Sequence, residues 1–147
     1  MTKAIYFDMD GTIANLYGVE NWLEQLINED SAPYTDAKPM CNFSLLARRL
    51  NILQRKGYHL GVITWLPKNS SKHYDEKVTN AKIKWLNTHL KSVKWNEIKI
   101  IGYGTPKEKN VLYPKGILFD DEKQNRNNWI GTAYNEKNIL DKLKAIC

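Results

Sequence analysis

Residues 6–14 read Tyr-Phe-Asp-Met-Asp-Gly-Thr-Ile-Ala, so Asp8 and Asp10 stand one residue apart, directly after a short apolar run and directly before a glycine and a threonine. A second pair of acids, Asp120 and Asp121, follows the apolar run 116–119, and Thr64 closes another at 61–63. Several carboxylates packed together repel one another unless a cation or a shared proton relieves them. A hard divalent ion does that well: magnesium takes oxygen ligands, keeps several waters and bridges one or two carboxylates to a substrate phosphate. A carboxylate held against such a phosphate can attack it, giving an aspartyl-phosphate. A second carboxyl two residues on can protonate the leaving oxygen.

The elements that must position these residues alternate strand and helix. Residues 3–8 form a β-branched and aromatic run with the look of a buried strand. A helix is expected over 42–57, with Leu46, Leu50 and Leu53 at helical spacing and Gly57 as its stop, then a strand over 58–64. A second long helix over 75–90 presents Val78, Ala81, Trp85 and Leu86 on one face. Strands follow at 97–101, 116–120 and 129–133, and a closing helix at 135–146 takes Asn135 as its cap. Strands separated by helices imply βαβ units and a parallel sheet covered on both faces. Ligands of such sheets sit beyond the carboxyl ends of the strands, near the point where strand order reverses. Asp8 and Asp10, Thr64, and Asp120 and Asp121 all end strands, so they are expected to meet at one edge.

Composition bounds the rest. The chain has 147 residues, 42% hydrophobic and 26% charged, which suits one domain with an ordinary core. No apolar run approaches the ~20 residues of a membrane span, and no signal-peptide pattern opens the chain, so a soluble, cytoplasmic protein without a membrane partner is expected. The formal charge of +6 and the pI of about 9.2 would suit an anionic partner. Cys41 and Cys147 have neither metal nor disulfide spacing and read as incidental thiols.

The acids and the threonine together resemble the motifs of the haloacid dehalogenase-like (HAD) phosphohydrolase superfamily. Its first motif, Asp-x-Asp-x-Thr after an apolar strand, is matched by Asp8-Met9-Asp10-Gly11-Thr12. The second, a threonine or serine ending an apolar strand, is matched by Thr64, and the fourth, a pair of acids after an apolar strand, by Asp120-Asp121. The resemblance implies an α/β fold: a three-layer, Rossmann-like parallel sheet of about five strands in the order 3-2-1-4-5, with residues 1–147 as one domain carrying a small insert at about 13–42. It also implies roles. Asp8 is the nucleophile, Asp10 the general acid and then base, and Thr64 a hydrogen-bond donor to the transferring phosphoryl group. Asp120 binds Mg2+ beside Asp8 and the backbone carbonyl of Asp10, with Asp121 supporting it. The third motif is a lysine ahead of the fourth strand, and both Lys107 and Lys109 are available; the Thr105-Pro106 turn favours Lys107. A lysine there would neutralise Asp8 and the phosphoryl oxygens.

Competing readings fit less well. An EF-hand with Gly11 at its sixth position would begin at Tyr6 and end at Tyr17, where acids are required. A receiver domain places its phosphoacceptor on a middle strand. His59, His73 and His89 match no ligand or triad spacing and read as structural or surface residues, and the Gly-Tyr-Gly-Thr at 102–105 lacks the later glycine of a nucleotide fingerprint.

Residues 13–42 fall where many relatives insert a substrate-selecting cap. Here the segment holds only one short helix, 19–27, and a Pro-containing loop, 28–40, so an open site is expected, suited to a large phosphorylated substrate such as a nucleic-acid end. Trp65, Lys68, Lys72, Arg126 and Trp129 are candidate contacts for it. The opening Asp-Met-Asp-Gly-Thr-Ile-Ala also resembles that of 5'-nucleotidases of the superfamily, which makes a small-molecule nucleotidase the alternative. A catalytically silent phosphate-binding relative is the other.

Overall fold

A computed structural model describes residues 1–147. The apolar run after Lys3 becomes β1 (Ala4–Phe7), buried on both faces as a central parallel strand must be. The chain then pairs β2 (Ala14–Asn15) with β3 (Lys38–Pro39) in a small antiparallel ribbon, and between them lie α1 (Trp22–Ile27) and α2 (Ala32–Asp36). The segment 13–42 is thus more structured than one helix and a loop.

Asn42 caps α3 (Phe43–Arg55) by accepting a hydrogen bond from the Leu45 amide at 3.1 Å, and Leu46, Leu50 and Leu53 form its buried stripe. After β4 (His59–Trp65), α4 (Lys72–His89) begins three residues earlier than its apolar pattern, because the Ser71 hydroxyl accepts from the Tyr74 amide and caps the helix there. β5 (Glu97–Ile101) and β6 (Ile117–Phe119) fall where expected, and a short α5 (Lys123–Asn128) that the sequence pattern did not suggest follows β6. The last strand is displaced from 129–133 to β7 (Thr132–Tyr134). Trp129 drops into the core and its indole donates to the Gly116 carbonyl at 2.8 Å, which removes 129–131 from any strand. Asn135 caps only a single 3-10 turn, and α6 (Ile139–Ile146) starts four residues later.

The five long-range strands form one parallel sheet in the order β5-β4-β1-β6-β7. With the two-residue ribbon strands left out of the numbering, this is the expected order 3-2-1-4-5. On one face Ile5, Phe7, Leu60 and Val62 pack against the leucines of α3, Trp85 and Leu86 of α4, and Ile139 and Leu143 of α6. On the other, Ala4, Tyr6, Ile63 and Leu118 are closed by Trp129. The chain leaves β1 for β4 on one side and returns to β6 on the other, so strand order reverses at β1. Phe7 sits opposite both Val62 and Phe119, which brings the residues after β1 and β6 to the same edge. No helix is long and apolar enough to cross a membrane. Cys41 and Cys147 are both free and half-buried.

Truncating the α3 cap, Asn42→Ala, is expected to cost about 1 kcal/mol and to lower Tm by about 4 °C without changing the far-UV spectrum of the folded protein, as read by thermal and urea unfolding.

Candidate active site

Asp8 is the first residue beyond β1, and its amide still donates to Phe119 of β6 at 2.9 Å. From there the chain turns tightly, with the amides of Thr12, Ile13 and Ala14 all donating to the Met9 carbonyl at 2.9–3.0 Å. Gly11 makes this turn with φ of +79°, and a Cβ on it would overlap the Asp121 carboxylate. Both requirements exclude a side chain there. The turn delivers the Thr12 hydroxyl between two acids, 2.9 Å from Asp8 Oδ2 and 3.2 Å from Asp121 Oδ1, while the Asp121 amide donates to Thr12 Oγ1 at 3.1 Å.

Asp8, Asp120 and Asp121 each place a carboxylate oxygen within 4.8 Å of the others. Asp120 is fully buried: Oδ2 accepts from Lys107 at 2.7 Å and from Asn125 of α5 at 3.2 Å, and Oδ1 from the Glu122 amide at 2.9 Å. Asp121 is half-buried and lines the cleft in front of the cluster. Asp121 thus faces the cleft, with Asp120 behind it, and both stay within reach of Asp8. Burial first, and the Asp8 charge next, push both carboxyls above the usual carboxylate range.

Two ammonium groups serve this edge. Lys107, from the single turn Lys107–Lys109, is 3% exposed and bridges Asp8 Oδ1 at 2.9 Å and Asp120 Oδ2 at 2.7 Å. Burial pulls its pKa down, but the charges of Asp8 and Asp120 more than offset this and raise it, so it stays an ammonium. Lys109 is exposed, makes no ion pair and is not part of the cluster. The second ammonium was not singled out in the sequence. Lys82, on the buried face of α4 and 1% exposed, donates to Asp10 Oδ2 at 3.0 Å, to Thr64 Oγ1 at 2.7 Å and to the Trp65 carbonyl at 2.8 Å. Its position was legible, since residue 82 lies four after Val78 and three before Trp85, inside the apolar stripe where a lysine is out of place. Asp10 is held by Lys82, and its side chain is not one of the three clustered carboxylates. Burial raises the Asp10 pKa, with Lys82 acting against it. Thr64 is fully buried behind these groups and does not line the cleft.

The cleft itself measures about 480 Å³. Asp8, Asp10, Lys107 and Asp121 form its floor, Tyr17, Trp22, Leu23, Leu26 and Ile27 one wall, and Trp65, Leu66, Pro67 and Tyr103 the other. The short segment 13–42 therefore does wall the site, contrary to the expectation of an open edge. Tyr17 and Trp22 pack edge to face at 4.8 Å, and Trp65 and Tyr103 lie 5.1 Å apart. Of the expected substrate contacts, Trp65 and Lys68 line the cleft, whereas Lys72 does not. Arg126 donates to the Asp120 carbonyl at 2.9 Å, and Trp129 is a core residue.

Four carboxyls, Asp8, Asp10, Asp120 and Asp121, meet two ammoniums, Lys82 and Lys107. The excess of two negative charges and an all-oxygen donor set fit a hard divalent cation.

No family model matches the sequence, and no curated protein matches it. Among solved structures the chain is similar to D,D-heptose 1,7-bisphosphate phosphatase from Burkholderia thailandensis, with a TM-score of 0.57 and 12% identity over 99% of this chain and 98% of that one. It also aligns with the HAD domain of the effector protein Lem4 from Legionella pneumophila, with a TM-score of 0.42 and 13% identity over 91% of this chain and 84% of that one. The likeness to the first is one of fold, and the fold is HAD-like.

Gly11→Ala is expected to destabilise the protein by about 2 kcal/mol through the strained φ and to displace Asp121, measured as a lower urea midpoint and a moved carboxylate in a crystal structure of the variant.

Proposed function

We propose that the protein is a magnesium-dependent phosphomonoester hydrolase that works through an aspartyl-phosphate on Asp8. The observation that carries this reading is the setting of Asp8: one oxygen on the Lys107 ammonium, the other on the Thr12 hydroxyl, at the floor of a cleft beside Asp121. The resemblance of the motifs and the HAD-like fold support it. Mg2+ would be held by the carboxylates of Asp8 and Asp121 and the main-chain carbonyl of Asp10, with Asp120 behind them, and would offset the charge that a phosphate brings to this acidic floor.

In the first half-reaction an oxygen of Asp8 attacks phosphorus, the bond to the ester oxygen breaks, and Asp10 gives its proton to the departing alkoxide. In the second, Asp10 takes a proton from water, the water oxygen attacks phosphorus, and the bond to Asp8 breaks to release inorganic phosphate. Lys107 lies against Asp8 and offsets charge on the phosphoryl oxygens. Thr64 accepts from Lys82 behind the cleft floor, and a bond from it to the phosphoryl group is implied by the motif resemblance alone. Lys109 has no part in this scheme.

The aromatic and aliphatic walls favour the alternative substrate class, a nucleotide-like small molecule, over a nucleic-acid end. A base can stack on Trp65, Tyr103 or Trp22, and the remaining lining cation, Lys68, is too little to track a polyanionic backbone.

With Mg2+ present, Asp8→Asn is expected to abolish phosphate release from phosphomonoesters while leaving the fold intact; substantial residual turnover would overturn the nucleophile. Asp121→Asn is expected to raise the Mg2+ concentration needed for half-maximal rate, and Ca2+ to inhibit, as an ion that prefers more ligands and looser geometry. A mononucleotide is expected to be hydrolysed with higher kcat/KM than an oligonucleotide bearing the same terminal phosphate. A preference for the oligonucleotide that fades with salt would return the substrate to a nucleic-acid end.

A further inference from the structure

Lys107 bridges Asp8 and Asp120, which leaves Lys82 to be explained. A buried ammonium in the apolar stripe of α4 gives up its hydration, and an apolar residue of the same length would fill the space without that cost. Packing does not account for the choice. What Lys82 does touch is the acid–base side of the site: Asp10 Oδ2, Thr64 Oγ1 and the carbonyl of Trp65, the last residue of β4.

We propose that Lys82 is the positioning residue of the acid–base carboxyl, a role that rests on the phosphatase reading above. An ammonium has three protons and no lone pair, so each of its three bonds can run in one direction only. Oδ2 of Asp10 is therefore tied up as an acceptor, and Oδ1, which makes no hydrogen bond within the chain, is the oxygen left to carry a proton to the leaving group. The bond to Trp65 fixes Nζ relative to the sheet edge, and the Tyr34 ring of α2, 5.3 Å from Nζ, covers it. Each acid of the Asp-x-Asp pair thus has a cation of its own. Lys107 serves the nucleophile and Lys82 aims its neighbour, so removing Lys82 should damage proton transfer while sparing attack by Asp8.

The test is Lys82→Met, assayed with Mg2+ on an alkyl phosphate, whose leaving group needs a proton, and on p-nitrophenyl phosphate, whose leaving group does not. Turnover of the alkyl ester is expected to fall about 100-fold, the range of general acid and base help. The pre-steady-state burst of p-nitrophenolate is expected to remain, followed by a slow steady state, because the second half-reaction needs Asp10 as base. Equal loss on both esters and in both phases, or no loss on either, would overturn the proposal. A crystal structure of the variant is expected to show the Asp10 carboxylate displaced with β1 and β4 unmoved, and a carboxylate still in place would overturn it whatever the kinetics. Should Lys82→Met not fold, Lys82→Gln is measured in the same way, with the same outcomes. A wild-type protein that releases no phosphate from either ester would instead overturn the phosphatase reading, and the position of Asp10 in the variant would still decide the role of Lys82.

Discussion

Four carboxyl groups sit at one edge of two adjacent strands, and the need to compensate their charge in a largely dehydrated place governs the surrounding structure. Mutual repulsion at such separations is severe when water is excluded, and no single neighbour can relieve it. The fold answers with Lys107 between Asp8 and Asp120, Lys82 on Asp10, and the Thr12 hydroxyl between Asp8 and Asp121. What these groups leave over is two negative charges on an all-oxygen floor, the amount that a divalent ion would balance.

Each compensating group reaches the edge from a different part of the chain. Thr12 comes from the turn that Gly11 permits after β1, Lys107 from a single turn ahead of β6, and Lys82 from the middle of an 18-residue helix whose other inward side chains are apolar. The acids are thus tolerable only when the sheet, the turn and α4 are assembled together. A buried ion pair of this kind adds little stability over an apolar pair of the same shape, and its retention points to what it positions.

The short segment 13–42 is bound into the same arrangement. Glu29 accepts hydrogen bonds from the Ser71 amide at 2.9 Å and hydroxyl at 2.7 Å, and the Tyr74 hydroxyl donates to the Asp30 carbonyl at 2.7 Å, so the segment is clasped to the start of α4. Leu16 and Tyr34 from the segment share a small core with Tyr74, Val78 and Ala81 of α4. The helix that supplies Lys82 to Asp10 therefore also holds the wall carrying Tyr17, Trp22 and Leu23 in place. One helix thus holds both the wall of the cleft and the Asp10 side chain.

The sequence alone determined the sheet and most of the site's membership. Apolar runs of strand length ending in Asp8, Thr64 and Asp120, separated by a leucine stripe at helical spacing, specify a parallel sheet and put those residues at its carboxyl edge, because period and strand direction are local properties. It did not determine Lys82, the order of Asp120 and Asp121, or the walling of the cleft by 13–42. A lysine in the apolar stripe of α4 stands out in the sequence, but Lys82 meets Asp10 across 72 residues, and that pairing is readable only once the fold brings the two together. Which of two adjacent acids faces inward depends on Lys107, Asn125 and the Glu122 amide surrounding Asp120. The displaced β7 has the same origin, since Trp129 chose the carbonyl of Gly116 over a place in the ladder. Only the tertiary structure decided these points, because each rests on which partners a side chain meets once the elements are packed, which the spacing of residue types does not encode.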